Sequence, residues 1–192
     1  MSAVINICEF KEQRATSTLV LVDMHRDAST PIGDEYSEAI ENCRAALRHA
    51  RARGFPVAFS RQLASSNNLW AAPKYPSWID GIEPTRSDMI FDRPLPSCYA
   101  NSEFGDMVDR IGGVYVIAGL FGEGACLSTA IDAFHREHRI TFLADASASR
   151  ACWDVSAEAM HKAVSGIMSH YAYVGGTKLW IQATSERAGA GQ

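Results

Sequence analysis

Three side chains in this 192-residue chain have the chemistry to open a carbonyl compound: a thiol, a carboxylate and a fixed cation. Cys126 ends a glycine-broken turn, Gly119-Leu120-Phe121-Gly122-Glu123-Gly124-Ala125-Cys126. Val114 to Ala118 before that turn is a short apolar run that predicts a buried strand. After the turn, Leu127, Ala130, Ile131 and Phe134 recur at helical spacing. Cys126 is therefore expected at a strand-to-helix turn, beside unpaired backbone N–H groups and the positive end of a helix dipole. Such a position favours a thiolate and an oxyanion next to it. It is equally where a small buried cysteine fills an ordinary turn. Asp23 directly follows the apolar run Thr18 to Val22, and Arg93 ends the run Met89 to Arg93. A carboxylate there can act as a general base, and an arginine can hold it or polarise a carbonyl.

These positions make sense only if the elements around them bring strand ends together. Strands are predicted at 18–22, 55–60, 89–93, 114–118 and 139–144. A last strand is expected from Tyr173-Val174 with Lys178 to Ile181, interrupted at Gly175-Gly176. Helices are predicted at 35–53, ended by Gly54, and at 102–111, from Cys126 to about His138, and at 154–171. The alternation predicts an α/β fold, a three-layer α/β/α, Rossmann-like and mostly parallel sheet of about six strands, joined by right-handed crossovers. The C-terminal strand ends then converge, carrying Asp23, Arg93 and Cys126 to one edge. Residues 61–85 hold Trp70, Tyr75, Trp78 and three prolines. They predict a long irregular loop, either lining a ligand site or packing on the body or a partner subunit. The expected division is an N-terminal extension over 1–17, one domain over 18–182, and a disordered tail over 183–192.

Composition narrows the partners. Hydrophobic residues make up 47% and charged residues 21%, as in ordinary globular domains. The net charge is −4 and the basic residues are scattered, which speaks against nucleic acid. No apolar run approaches the roughly 20 residues that span a bilayer, and the first residues do not form a secretory signal. Five cysteines with no C-x-x-C pair suit a reducing cytoplasm better than a disulfide framework.

From Thr18 to Ile181 the chain resembles the isochorismatase-like cysteine hydrolases. TLVLVDMHRDA is similar to the family's opening strand and D-M-x-x-D, VIAGLFGEGACLSTAIDA to its nucleophile turn and T-A-x-D-A helix, and LADASAS followed by His161 to its D-A-x-A/S segment and downstream histidine. The resemblance implies Cys126 as nucleophile, Asp23 as general base, and the N–H groups of Ala125 and Cys126 as oxyanion hole. It also implies a cis peptide bond just before the cysteine, at Gly124–Ala125. Trp70, Tyr99, Phe121, Glu123 and His25 are the expected substrate contacts; Glu123 has helix capping as its alternative role. Arg93 stands where the family carries a catalytic lysine. Seven steps separate Gly119 from Cys126, where the family turn has six. The metal-binding D-x-H-x-x-x-H of family nicotinamidases is replaced here by Ser60-Arg61-Gln62-Leu63, so no metal and no other cofactor are expected. The implied activity is hydrolysis of a carbon–nitrogen bond in a small-molecule amide by a homo-oligomer, dimer or tetramer. Vinyl-ether hydrolysis, or an inactive binding protein of the same fold, are the alternatives.

Overall fold

The computed structural model describes residues 18–26, 33–63 and 75–185. The expected N-terminal extension, Trp70 and residues 186–192 of the expected tail lie outside them. Six strands form one parallel sheet: β1 (Leu19–Val22), β3 (Val57–Gln62), β5 (Met89–Arg93), β6 (Val114–Leu120), β7 (Arg139–Ala148) and β8 (Tyr173–Gly175). Their order across the sheet is β5-β3-β1-β6-β7-β8. The chain winds outward from β1 in one direction, returns to β1's other side, and winds outward again. That reversal opens a crevice beyond the C-terminal ends of β1 and β6. Two further two-residue strands, β2 (His25–Arg26) and β4 (Ser77–Trp78), pair antiparallel above that edge, in stretches expected to be loop.

Both faces of the sheet are covered, which is why β1 is apolar at every position and not only at alternate ones. Leu19, Leu21, Phe59, Val116 and Ala118 pack on one face against Ile40, Cys43 and Leu47 of helix α1 (Ser37–Ala52) and Trp180 of α5 (Thr177–Ser185). Val20, Ala58, Tyr115, Ile117 and Phe142 pack on the other. Their partners are Phe104 and Val108 of α2 (Ser102–Arg110), Ala130 and Ala133 of α3 (Leu127–His135), and Met168 of α4 (Ala157–Met168).

Two elements depart from expectation. Lys178 to Ile181 is not a strand but the first part of α5, which also takes in residues 183–185 of the expected tail. Thr177, Trp180 and Thr184 are buried three and four residues apart, and Asp145 Oδ1 accepts hydrogen bonds from the Thr177 N–H at 2.8 Å and Oγ1 at 2.7 Å. A four-residue apolar run cannot reveal that period, because the cap comes from a residue far away in sequence. β7 runs on past Ala144 because it stays on β6 after β8 ends: Leu143 is its last residue opposite β8, and beyond a register shift Ser147 and Ala148 pair with Gly119 and Leu120 of β6.

Candidate active site

Asp23 is the first residue beyond β1 and takes a left-handed backbone, φ 50°, a conformation costing a non-glycine residue about 1–3 kcal/mol. Its N–H donates to Ser60 O at 2.8 Å, which ties it to the end of β3. Oδ1 accepts the Gln62 backbone N–H at 2.7 Å, and Oδ2 pairs with Nη2 of Arg93. Arg93 is the last residue of β5, directly opposite Gln62, and its side chain is fully buried. The guanidinium also donates from Nε to Ser60 Oγ at 3.0 Å, and from Nη1 to Gln62 Oε1 at 3.2 Å and to Leu95 O at 2.9 Å. His25 stands beside this pair, its Nε2 3.5 Å from Asp23 Oδ1 and its ring edge-on to Trp78. Neither of its ring nitrogens has a hydrogen-bond partner among the described residues.

On the other side of the crevice, the turn after β6 carries the extra residue noted in the sequence. Gly122–Cys126 forms a π-helical turn, and the Cys126 N–H lies 3.5 Å from Phe121 O, five residues back. A one-residue insertion is absorbed this way without unwinding the helix that follows. The cis peptide bond lies at Leu120–Phe121, ahead of this turn, and not at Gly124–Ala125. Gly119 anchors the turn to β1. A Cβ there would lie 2.1 Å from Val22 O, and its φ of 129° admits only glycine without strain. The Gly119 N–H donates to Ser147 Oγ at 3.2 Å.

Cys126 is fully buried, with Sγ 3.8 Å from Gly119 O. The expectation of a thiolate stabilised by the helix terminus is not met. Burial pushes the thiol well above its ordinary range, and Cys98 and Asp23 push it further in the same direction; Arg93 opposes them and does not prevail. At neutral pH the group is a thiol, within electrostatic reach of both Asp23 and Arg93.

The remaining expected site residues divide. Phe121 and Glu123 flank the turn and share Arg150, which stacks over the Phe121 ring at 4.6 Å and donates from Nε to Glu123 Oε1 at 2.9 Å. Tyr36 meets Phe121 edge-on. Tyr99, expected to touch substrate, instead belongs to the buried cluster on α2: its hydroxyl bonds His138 Nδ1 at 2.8 Å and accepts from Tyr115 at 3.3 Å. Its aromatic ring finds Phe104 there, which outweighs its position after β5.

Four residues that were not singled out hold the site together. Ser60 and Gln62 grip Arg93, and their signal was a pair of alternate polar residues closing an apolar strand. Ser147 holds Gly119. Ser149 donates to His161 Nδ1 at 3.2 Å, since His161 Nε2 must carry its proton to reach Ala144 O at 2.8 Å. A Cβ on Gly122 would come within 3.1 Å of Ser149 Oγ and 3.4 Å of His161 Nδ1, so these two side chains back the turn. Ser147, Ser149 and His161 also line a cleft of about 420 Å³ between the N-termini of α1 and α4, with Tyr36, Glu38 and Glu158 opposite. Among the described residues, no group of three histidine, cysteine, aspartate or glutamate side chains could hold a metal ion, and no helix is long and apolar enough to cross a membrane.

Comparison with known proteins bears on the fold and the family. Residues 17–178 match the family model of the isochorismatase domain. Among solved structures, the chain is similar to an isochorismatase from Pseudomonas putida KT2440, with 20% identity, a TM-score of 0.74, and 85% of this chain and 90% of that one covered. It is similar to a cysteine hydrolase from Pseudomonas syringae pv. phaseolicola 1448A, with 18% identity, a TM-score of 0.77, and coverages of 90% and 94%. It is also similar to an N-carbamoylsarcosine amidase from Thermoplasma acidophilum, with 20% identity, a TM-score of 0.67, and coverages of 83% and 95%. No curated protein matches the chain.

Proposed function

The chain belongs to the isochorismatase family of hydrolases, and from that premise we propose that it cleaves a carbon–nitrogen bond of a small amide through a thioester on Cys126. The observation that carries this reading is the Asp23–Arg93 ion pair at the ends of β1 and β5, with the buried Cys126 thiol within electrostatic reach of both partners. In the proposed cycle, the Cys126 S–H proton moves to Asp23 as sulfur attacks the carbonyl carbon. The N–H groups of Ala125 and Cys126 receive the developing oxyanion. The C–N bond then breaks, Asp23 returns the proton to the departing nitrogen, and the amine leaves. Water adds to the thioester, giving its proton to Asp23, and the C–S bond breaks to release the carboxylic acid and restore the thiol. Arg93 holds the carboxylate in place. Phe121, Glu123 and His25 stand around this centre as substrate contacts. The likeness to an enzyme named as an N-carbamoylsarcosine amidase supports amide chemistry. We place the enzyme in the cytoplasm as a dimer or tetramer, an assembly that light scattering on the purified protein reads directly.

The test is ammonia release across a panel of small amides, with Cys126→Ala as control. Loss of release in the variant is expected; release that survives it would sink the covalent mechanism. The full burial and raised ionisation of Cys126 favour one second reading, in which Asp23 alone acts on a vinyl ether. In that case Asp23→Ala abolishes vinyl-ether hydrolysis, and Cys126→Ala leaves it intact.

A further inference from the structure

An arginine beside a carboxylate ordinarily takes both of its oxygens with two parallel N–H groups. Here it does not. Only Nη2 of Arg93 reaches Asp23, through Oδ2. Nε is held by Ser60 Oγ at 3.0 Å, and Nη1 by Gln62 Oε1 at 3.2 Å and Leu95 O at 2.9 Å. The oxygen that a second prong would occupy, Oδ1, instead accepts the Gln62 backbone N–H at 2.7 Å. Gln62 thus touches both members of the pair, one with its side chain and the other with its main chain. It lies opposite Arg93 in the β3–β5 register, and Ser60 lies two residues back on the same side of the strand. The Ser60 hydroxyl accepts from Nε, and Cys98 packs in the same buried cluster as Cys126.

We propose that Gln62, with Ser60, is a positioning residue that keeps Arg93 a one-pronged partner of Asp23. The carboxylate then retains lone pairs on both oxygens with which to take the thiol proton. A guanidinium turned to face both oxygens would add a second donor to Oδ1, which already accepts the Gln62 N–H, and so slow that transfer, while leaving the fold and the charge balance unchanged. This inference rests on the amidase reading only for its kinetic consequence; the geometric claim stands by itself.

The variant is Gln62→Met, which keeps the side-chain length and removes the acceptor. Alkylation of Cys126 by iodoacetamide at pH 7, followed by peptide mass, serves as probe, because the attacking sulfur must shed its proton there. Gln62→Met is expected to slow Cys126 labelling at least tenfold in the native background. In an Arg93→Lys background, where no fork exists to be aimed, the same substitution should change the rate less than twofold. Equal losses in both backgrounds, or no loss in either, would overturn the proposal. Crystal structures of the native protein and Gln62→Met give the second measurement: Arg93 turned so that two of its N–H groups face Asp23 supports the proposal, and an unmoved guanidinium overturns it. Native Cys126 that stays unlabelled counts against the nucleophile and not against the clamp, which the two structures then decide.

Discussion

Cys126 is fully buried, and that burial, with the approach of Cys98 and Asp23, holds its thiol well above the ordinary range. Because the thiol is protonated at rest, a base must take its proton during attack, so Asp23→Asn is expected to reduce turnover of a hydrolysed amide by at least about a thousandfold, as Cys126→Ala does. Steady-state ammonia assays on the two variants check this. The buried thiols also set a pH limit on the fold. Cys126, Cys98 and Cys43 are all raised above their ordinary range, chiefly by burial, so above about pH 8.5 the unfolded chain releases thiol protons that the native chain keeps. The native state then binds more protons than the unfolded one, and stability falls as pH rises, by about 1.4 kcal/mol per pH unit for each fully engaged thiol. Stability is whole below that range. Chemical denaturation between pH 7 and 10 should show this slope, and Cys43→Ala, remote from the crevice on the α1 face, should make it shallower.

At the scale of elements, five of the six sheet strands were legible as short runs rich in apolar residues, and for β1, β3 and β6, buried along nearly their whole length, nothing subtler was needed. The short last strand was legible at Tyr173-Val174, but not the helix behind it, because the Asp145 cap is supplied across 32 residues. Asp145→Ala should therefore cost about 1–2 kcal/mol in thermal or urea unfolding, the ordinary cost of a lost N-cap. Gly119 is a stricter case. A methyl group there would strike the Val22 carbonyl at 2.1 Å, in a backbone conformation that disfavours side chains. Gly119→Ala should destabilise by more than about 3 kcal/mol, or push β1 and β6 apart and cost activity as well; denaturant midpoints and ammonia release together separate the two outcomes. The extra residue in the turn was visible by counting, but its accommodation as a π turn, and the cis bond before it, depend on how β6 meets β7 and could not be counted.

For the whole molecule, the order of strands was the least accessible feature, and it is what makes the site. The sequence alternation predicts a parallel sheet; it does not say that β6 returns to lie beside β1. That single neighbour relation divides the catalytic groups. Asp23, Ser60, Gln62 and Arg93 come from the half built by β1, β3 and β5, and Cys126, Ser147 and His161 from the half built by β6, β7 and β8. Neither half holds both Asp23 and Cys126, and the two join along one seam, where Val22 faces Gly119. The connection between them passes through the turn at Gly112-Gly113 after α2, where Gly112 is exposed and Gly113 is buried. On the reaction proposed above, a chain cut at that turn yields two fragments that each lack one of Asp23 and Cys126, so the closing of one strand seam is also the event that assembles the site.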